Sequence, residues 1–137
     1  MEPILKKFEQ GGSTVEANPD MEAPAYWDGV DFHRTAGGWD EHDYQGYIHA
    51  DIVHTRLVAK TFPGGIFAQR RMVAALPPKD HYDKIIDMGC STGHFTRALQ
   101  ETYPDAEIYG VDLSLKTIQQ AQRLGNANGW SWKLYQR

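Results

Sequence analysis

The second half of the chain alternates strand-like and helix-like segments, and this order constrains the fold more than any other feature. Short apolar or alternating runs at 84–88, 107–111 and 130–135 predict buried strands. Apolar residues at helical spacing predict one helix over 94–103 and another after Ser114, a good N-cap residue, ending near 125. Strand–helix–strand order with short connections predicts an α/β fold, a doubly wound parallel sheet with right-handed crossovers.

The first part of the chain carries weaker signals. Residues 1–47 contain glycine and proline breakers, so we predict an irregular, partly mobile N-terminal segment, with residues 1–20 mobile. Residues 21–47 are rich in aromatic side chains, which disordered tails lack, so this stretch should pack on the molecule or close over a site as a lid.

Residues 48–78 show apolar positions at helical spacing. They predict a helix from about Tyr47 to Lys60 and a second over 66–76, separated by Pro63-Gly64-Gly65 and ended by Pro77-Pro78. We expect this helical segment to pack on the core formed by residues 79–137.

Composition narrows the function classes. The 137 residues suit one domain, and a net charge of −4 gives no reason to expect a nucleic-acid partner. The lone Cys90 excludes a disulfide within the chain. No stretch approaches the roughly 18 apolar residues of a membrane span, and the first ten residues do not resemble a secretory signal. The expectation is a cytoplasmic protein without a membrane partner.

A glycine-rich turn follows the first predicted strand, in the sequence DMGCSTG at 87–93. In parallel sheets ligands bind beyond the carboxyl ends of the strands, and small residues there let the backbone approach a ligand. The turn lacks the G-x-G-x-x-G pattern of dinucleotide sites and the lysine of a phosphate loop. It has instead an acidic residue, Asp87, two positions before its first glycine.

A second acidic residue, Asp112, ends the second predicted strand, 19 residues after Gly93. That is close to the spacing at which an acidic side chain meets ribose hydroxyls, and a carboxylate can accept both hydroxyl protons. Together the turn and Asp112 predict a ribose-bearing ligand without a pyrophosphate.

These residues carry a family resemblance. IIDMGCSTGHFTRAL followed by IYGVDLS resembles the class I methyltransferases that use S-adenosylmethionine, whose motif is acidic-x-G-x-G-x-G on a Rossmann-like sheet. Ser91 stands where the middle glycine often stands. The resemblance, over residues 82–137, implies that the turn passes round the methionine part of the cofactor, Asp112 binds the ribose and Leu113 lies near the adenine. The implied cofactor-binding residues are Asp87, Gly89, Cys90, Ser91, Gly93, Asp112 and Leu113.

The same resemblance implies a seven-stranded sheet, whereas the sequence reaches only the third strand at Arg137. We therefore expect residues 79–137 to form the N-terminal half of a cofactor-binding domain in a truncated chain. The strand at 84–88 should then be an apolar edge, a recognised association hazard. No residue can be named as catalytic, and the methyl acceptor is expected to be a small molecule.

Two alternatives stay open: an NAD(P)-dependent oxidoreductase domain, which the acidic second strand favours and the glycine pattern opposes, and an inactive truncated remnant. Among single residues, Cys90 suits a tight turn better than a nucleophile, and His94 is expected to be neutral, at the surface or behind the cofactor. Arg34, Arg70 and Arg71 could pair with the carboxylate of the cofactor, although nothing in the sequence ranks this above a surface role. His42, His49 and His54 suit a solvated helix face better than a metal site, and no metal is predicted.

Overall fold

A computed structural model describes residues 2–27, 39, 40 and 42–137. The helices are α1 (Glu2–Lys7), α2 (Gln45–Ile48), α3 (Gly65–Ala74), α4 (His94–Thr102) and α5 (Leu115–Ala127). The strands are β1 (Thr14–Glu16), β2 (Lys84–Met88), β3 (Glu107–Asp112) and β4 (Lys133–Gln136), and a 3₁₀ turn covers Ala25–Trp27.

The four strands form one parallel sheet in the order β1-β4-β3-β2. Ile86 of β2 is opposite Tyr109 of β3, and Val111 of β3 is opposite Tyr135 of β4. Helix α4 connects β2 to β3, and α5 connects β3 to β4. The α/β class and the parallel pairing of the three predicted strands are confirmed.

Strand β1 differs from the expectation that residues 1–20 are mobile. Thr14 pairs with Lys133 of β4, and the amide of Thr14 donates to the Trp132 carbonyl over 2.8 Å. The Ser13 hydroxyl adds a 2.9 Å bond to the Trp130 carbonyl. A three-residue strand is too short for a recognisable alternation, and its bonds come from residues more than a hundred positions away.

The helix predicted over 47–60 is present and continuous, but its helical type changes along its length. Helix α2 runs into a π-helix at His49–Leu57, which ends in a 3₁₀ turn at Val58–Thr61. The Thr55 hydroxyl donates to the Ala50 carbonyl over 2.7 Å, so side-chain bonds also span five residues. We call residues 45–61 the helical cover. π-Helices are rare and occur mostly as single-turn bulges inside α-helices, which frequently lie at functional sites.

Helices α4 and α5 pack on one face of the sheet. Ala98, Leu99, Ile118 and Ala121 meet Ile108, Leu134 and Trp132 there, in one buried cluster. The Trp132 indole is fully buried and donates to Gln100 Oε1 over 2.9 Å, so its polar atom is satisfied. The Tyr103 hydroxyl donates to the Ala74 carbonyl over 3.1 Å and ties α3 to this core.

Strand β2 is the last strand of the described sheet on its side. Its side chains alternate, with Asp87 buried under α4 and Ile86 and Met88 turned away, 58% and 72% exposed. The apolar edge expected from the sequence is thus confirmed. Its carboxyl end opens directly into the glycine turn.

Candidate functional site

The glycine turn links β2 to α4 through an alternation of left-handed backbone angles. The φ angles are 77° at Gly89, 48° at Ser91 and 82° at Gly93. Ser91 therefore adopts a conformation that a residue with a Cβ adopts only at a cost of roughly 1–2 kcal/mol. The amides of Gly89 and Cys90 both donate to the Val111 carbonyl, over 2.8 and 3.0 Å, which folds the turn across the end of β3.

Asp112 fixes this arrangement from the other strand. Its Oδ2 accepts a 2.8 Å hydrogen bond from the Ser91 amide, and its Oδ1 accepts a 3.0 Å bond from the Ser114 amide. One carboxylate thus holds both the turn and the start of α5. A carboxylate offers about four acceptor positions, so these bonds leave capacity for ligand hydroxyls.

A cavity of about 440 Å³ lies beyond the carboxyl ends of β2 and β3. This volume is within the range of small-molecule sites. Four residues named from the sequence line it: Gly89, Ser91, Asp112 and Leu113.

Asp87 is not among the residues that line the cavity. It is 7% exposed and accepts a 2.6 Å hydrogen bond from the Thr96 hydroxyl of α4. Burial raises the pKa of Asp87, the Thr96 bond opposes this, and the Asp112 charge adds to it. Asp87 therefore links the end of β2 to helix α4 beneath the turn. Its contact with a ligand stays a prediction.

Cys90 and Gly93 also lie away from the cavity lining. Cys90 is 3% exposed, and burial raises the pKa of its thiol, which keeps the unreactive protonated form. At Gly93 a Cβ would lie 3.0 Å from the Ala121 Cβ and 3.1 Å from Trp132 Cζ3. The glycine therefore lets the turn pack closely on α5.

Five lining residues were not named as cofactor contacts from the sequence: Trp27, Trp39, Met88, Val111 and Arg137. Trp27 and Trp39 lie in the aromatic segment 21–47 that was predicted to pack on the molecule or form a lid. Met88, Val111 and Arg137 lie at or just beyond strand ends, so the predicted strand boundaries could have found them. Arg137 also makes an ion pair with Glu16 of β1.

Trp39 reaches the cavity from the aromatic segment. Its ring stacks on His49 with centroids 4.4 Å apart. The next residue, Asp40, accepts bonds at Oδ1 from the Ser114 hydroxyl (2.7 Å) and the Lys116 amide (3.0 Å), both at the start of α5. Part of the lid predicted over 21–47, residues 28–38 and 41, lies outside the described residues.

The expected solvated face of histidines is wrong for His49, which is fully buried against Trp39. The surface alternative is also wrong for His94, which is 7% exposed. His49 packs on Trp39, and His94 packs on His54 of the helical cover with ring centroids 4.7 Å apart. Both are contacts between distant segments, which residue spacing does not reveal. Within the described ranges, no cluster of three His, Cys, Asp or Glu side chains is arranged to hold a metal ion.

The three arginines named from the sequence are not among the cavity-lining residues. Arg34 lies outside the described residues. Arg71 is 3.6 Å from Glu101 in an ion pair, and Arg70 Nη1 donates to Gln69 over 3.2 Å. In the parts of the chain that are described, no helix has the length and apolarity needed to cross a bilayer.

Residues 85–137 match a family described as a methyltransferase domain. The match begins inside β2 and contains the glycine turn, Asp112 and Leu113.

Three curated proteins illustrate the similarity. A trans-aconitate 2-methyltransferase from Pseudomonas paraeruginosa is 39% identical over 64 residues, covering 45% of this chain and 23% of its own length. A malonyl-[acyl-carrier protein] O-methyltransferase from Anoxybacillus flavithermus is 37% identical over 76 residues, with coverages of 50% and 28%. A ribosomal RNA large subunit methyltransferase G from Shewanella amazonensis is 36% identical over 53 residues, with coverages of 39% and 14%. The matched segment thus spans at most 28% of any of these three relatives.

Proposed function

We propose that this chain belongs to the class I, S-adenosylmethionine-dependent methyltransferases, because residues 85–137 match a methyltransferase domain family, and that it binds S-adenosylmethionine in the cavity at the ends of β2 and β3. The chain would supply the cofactor-binding part of a methyltransferase. The observation that carries the proposal is the bond between the Ser91 amide and Asp112, which brings the turn and the acidic strand end into one site.

The lining residues suit the parts of this cofactor. Gly89 and Ser91 offer little side-chain bulk where the methionine part would pass. Asp112 offers acceptor capacity for the ribose hydroxyls, and Leu113 an apolar contact for the adenine. Trp27 and Trp39 add aromatic surface on the side of the N-terminal segment. This suits a lid that keeps water from the cofactor.

The proposed reaction is methyl transfer. When bound, S-adenosylmethionine would supply an electrophilic methyl group for a lone pair of the acceptor, and its sulfonium sulfur would keep the carbon–sulfur bond pair and leave as the neutral thioether of S-adenosylhomocysteine. The part of this chain is to hold the donor in a fixed orientation and exclude water, which is positioning catalysis. No residue is assigned as a catalytic base.

We propose a small-molecule acceptor, since a net charge of −4 does not favour a nucleic-acid backbone. The relatives' names include trans-aconitate, malonyl-[acyl-carrier protein] and ribosomal RNA, so they do not single out one acceptor. A cytoplasmic location is part of the same proposal and is supported by the single, buried cysteine.

Isothermal titration of the 137-residue chain with S-adenosylhomocysteine tests the proposal. We expect saturable one-site binding that is not displaced by NAD. Binding of NAD alone would favour the oxidoreductase alternative. Absence of heat with either ligand up to about 1 mM, a binding free energy near −4 kcal/mol, would favour an inactive remnant.

A further inference from the structure

A second cavity of about 190 Å³ lies behind the glycine turn, between α3, α5 and the helical cover. None of its lining residues also lines the cofactor cavity. Yet the two cavities meet at neighbouring positions of the turn, since Ser91 faces the first and Thr92 the second. Its lining residues include Ala50, Asp51, Phe67, Thr92, His94 and Leu124.

His94 is the polar group aimed into this cavity. It is 7% exposed, and its Nδ1 lies 2.7 Å from the Thr92 hydroxyl. That hydroxyl also lies 3.4 Å from Nδ1 of His54 in the helical cover, so it can donate to one ring and accept from the other. Nε2 of His94 makes no hydrogen bond with any residue that the structure describes, which leaves it available to a ligand.

The imidazole is neutral at physiological pH, because burial lowers the pKa of His94 to about 3, with smaller contributions from His54, Arg70 and Arg97. A neutral ring has one nitrogen that donates and one that accepts, and the Thr92 bond decides which role Nε2 plays. Either role suits an uncharged partner.

The rest of the cavity carries no uncompensated charge, because its other lining side chains, including the polar Tyr47, Thr55 and Gln120, are neutral, apart from the paired Asp51. The Phe67 ring stacks on His94 with centroids 5.1 Å apart and an interplanar angle of 21°. Ala50 and Leu124 add aliphatic surface. The carboxylate of Asp51 at the rim accepts a 2.7 Å bond from Arg56, so its charge is already compensated. These walls favour a flat, neutral molecule.

We propose that this second cavity binds a small neutral heteroaromatic molecule, whose ring nitrogen hydrogen-bonds to His94 Nε2 and whose ring contacts Phe67. The volume suits the class, because an engineered apolar cavity of about 150 Å³ binds benzene. This binding is independent of methyl transfer and does not require the proposed cofactor.

Benzimidazole is a suitable probe, because it offers both a donor and an acceptor nitrogen on a planar bicyclic ring. Titrated into the 137-residue chain, it should bind saturably at one site and shift the Nε2 resonance of His94 but not that of the exposed His81. Absence of saturation up to about 5 mM, weaker than a binding free energy of about −3 kcal/mol, overturns the proposal.

Ala50→Leu fills the cavity without removing a polar contact, and it should weaken benzimidazole binding at least tenfold. Ala59→Leu makes the same change in the same helical cover away from the cavity and should leave binding unchanged. Equal binding by both variants overturns the proposal. If Ala50→Leu does not fold, the His94 resonance in the unmodified chain decides: a shift that saturates supports the site, and an unmoved resonance overturns it.

Discussion

The backbone amide of Ser91 donates to Oδ2 of Asp112 over 2.8 Å, although 21 residues separate them in sequence. The donor sits in a left-handed turn after β2, and the acceptor ends β3. Because Oδ1 of the same carboxylate accepts from the amide of Ser114, the N-cap residue of α5, one side chain holds both the turn and the start of α5. A ligand that engages Asp112 therefore acts on the conformation of the turn as well.

Asp112→Ala should weaken S-adenosylhomocysteine binding at least tenfold, by removing the acceptor proposed for the ribose. It also leaves two backbone amides without their acceptor, which should lower the free energy of unfolding by about 1–3 kcal/mol. Titration calorimetry and urea unfolding measure the two effects. Asp105→Ala is the control, because Asp105 is exposed in the turn between α4 and β3 and should change neither quantity. Unchanged affinity in Asp112→Ala would contradict the proposed ribose contact.

Ser91→Gly should stabilise the chain. Its φ of 48° costs roughly 1–2 kcal/mol for a residue with a Cβ. Glycine relieves this strain but adds unfolded-state freedom worth about 0.4–1 kcal/mol. The net gain in the free energy of unfolding should therefore lie between about 0 and about 1.6 kcal/mol in urea unfolding. Ser131→Gly, at an exposed position without a positive φ, should instead lose stability. A loss of stability in Ser91→Gly would show that the serine is not strained.

Sequence reasoning predicted β2 with its observed bounds and β3 with one residue fewer, because each is an apolar stretch between turn residues. It also predicted Ser114 as the N-cap of α5, whose hydroxyl accepts a 3.2 Å bond from the Thr117 amide. These features depend on neighbours within a few positions. Four of the seven named cofactor residues line the cavity, because a turn after a parallel strand has few possible positions.

Other features depend on contacts between distant segments, and local patterns do not encode them. Strand β1 exists through its pairing with β4, and Trp39 reaches the cavity because Asp40 bonds to the start of α5. The burial of His49 follows from its stack on Trp39. The π-helical winding was missed because apolar spacing was compared only with the ordinary α-helical period.

Asp40→Ala should weaken S-adenosylhomocysteine binding several-fold by loosening Trp39. The substitution removes the acceptor of the Ser114 hydroxyl and the Lys116 amide, so helix α5 should lose about 0.5–2 kcal/mol, as for a lost cap. Titration calorimetry measures the affinity, and urea unfolding measures the stability.

Asp43→Ala is the matched control for Asp40→Ala, because Asp43 also bonds to α5, through Lys116 Nζ at 2.8 Å, but at the surface and not next to Trp39. It should retain full affinity. A Trp39→Ala variant tests the predicted lid directly. It also avoids an N-terminal truncation, which would remove β1. Full affinity in both Asp40→Ala and Trp39→Ala would end the hypothesis that residues 21–47 form a lid.

Acid should destabilise the chain through His94. Burial lowers its pKa in the folded state to about 3, from 6.5, so the unfolded chain binds the extra proton between these values. The free energy of unfolding should fall as the pH drops below about 6.5, with a slope of up to about 1.4 kcal/mol per pH unit. Asp87, whose pKa is raised by burial, contributes with the opposite sign at the acid end.

Urea unfolding at a series of pH values between about 7 and about 5 measures this slope, over the range in which the unfolded imidazole gains its proton. His94→Gln should flatten it, whereas His81→Gln should not, because His81 is an exposed residue paired with Asp83 over 3.0 Å. Identical slopes in the unmodified chain and in His94→Gln would show that His94 is protonated as readily in the folded state as in the unfolded one.

Gly93→Ala should be more damaging than the same change at another left-handed glycine. Both Gly93 (φ 82°) and Gly129 (φ 74°) would impose backbone strain of roughly 1–2 kcal/mol on an alanine. At Gly129 the new Cβ meets no atom within 4 Å, whereas at Gly93 it lies 3.0–3.2 Å from Ala121 and Trp132.

Those Gly93 neighbours belong to the buried core and have little room to move, so overpacking should add about 1–3 kcal/mol to the strain. Urea unfolding of Gly93→Ala and Gly129→Ala compares the two directly. Equal losses would mean that α5 moves aside without cost. A larger loss at Gly93, together with weaker S-adenosylhomocysteine binding, would show that the packing of the turn on α5 sets the shape of the proposed cofactor site.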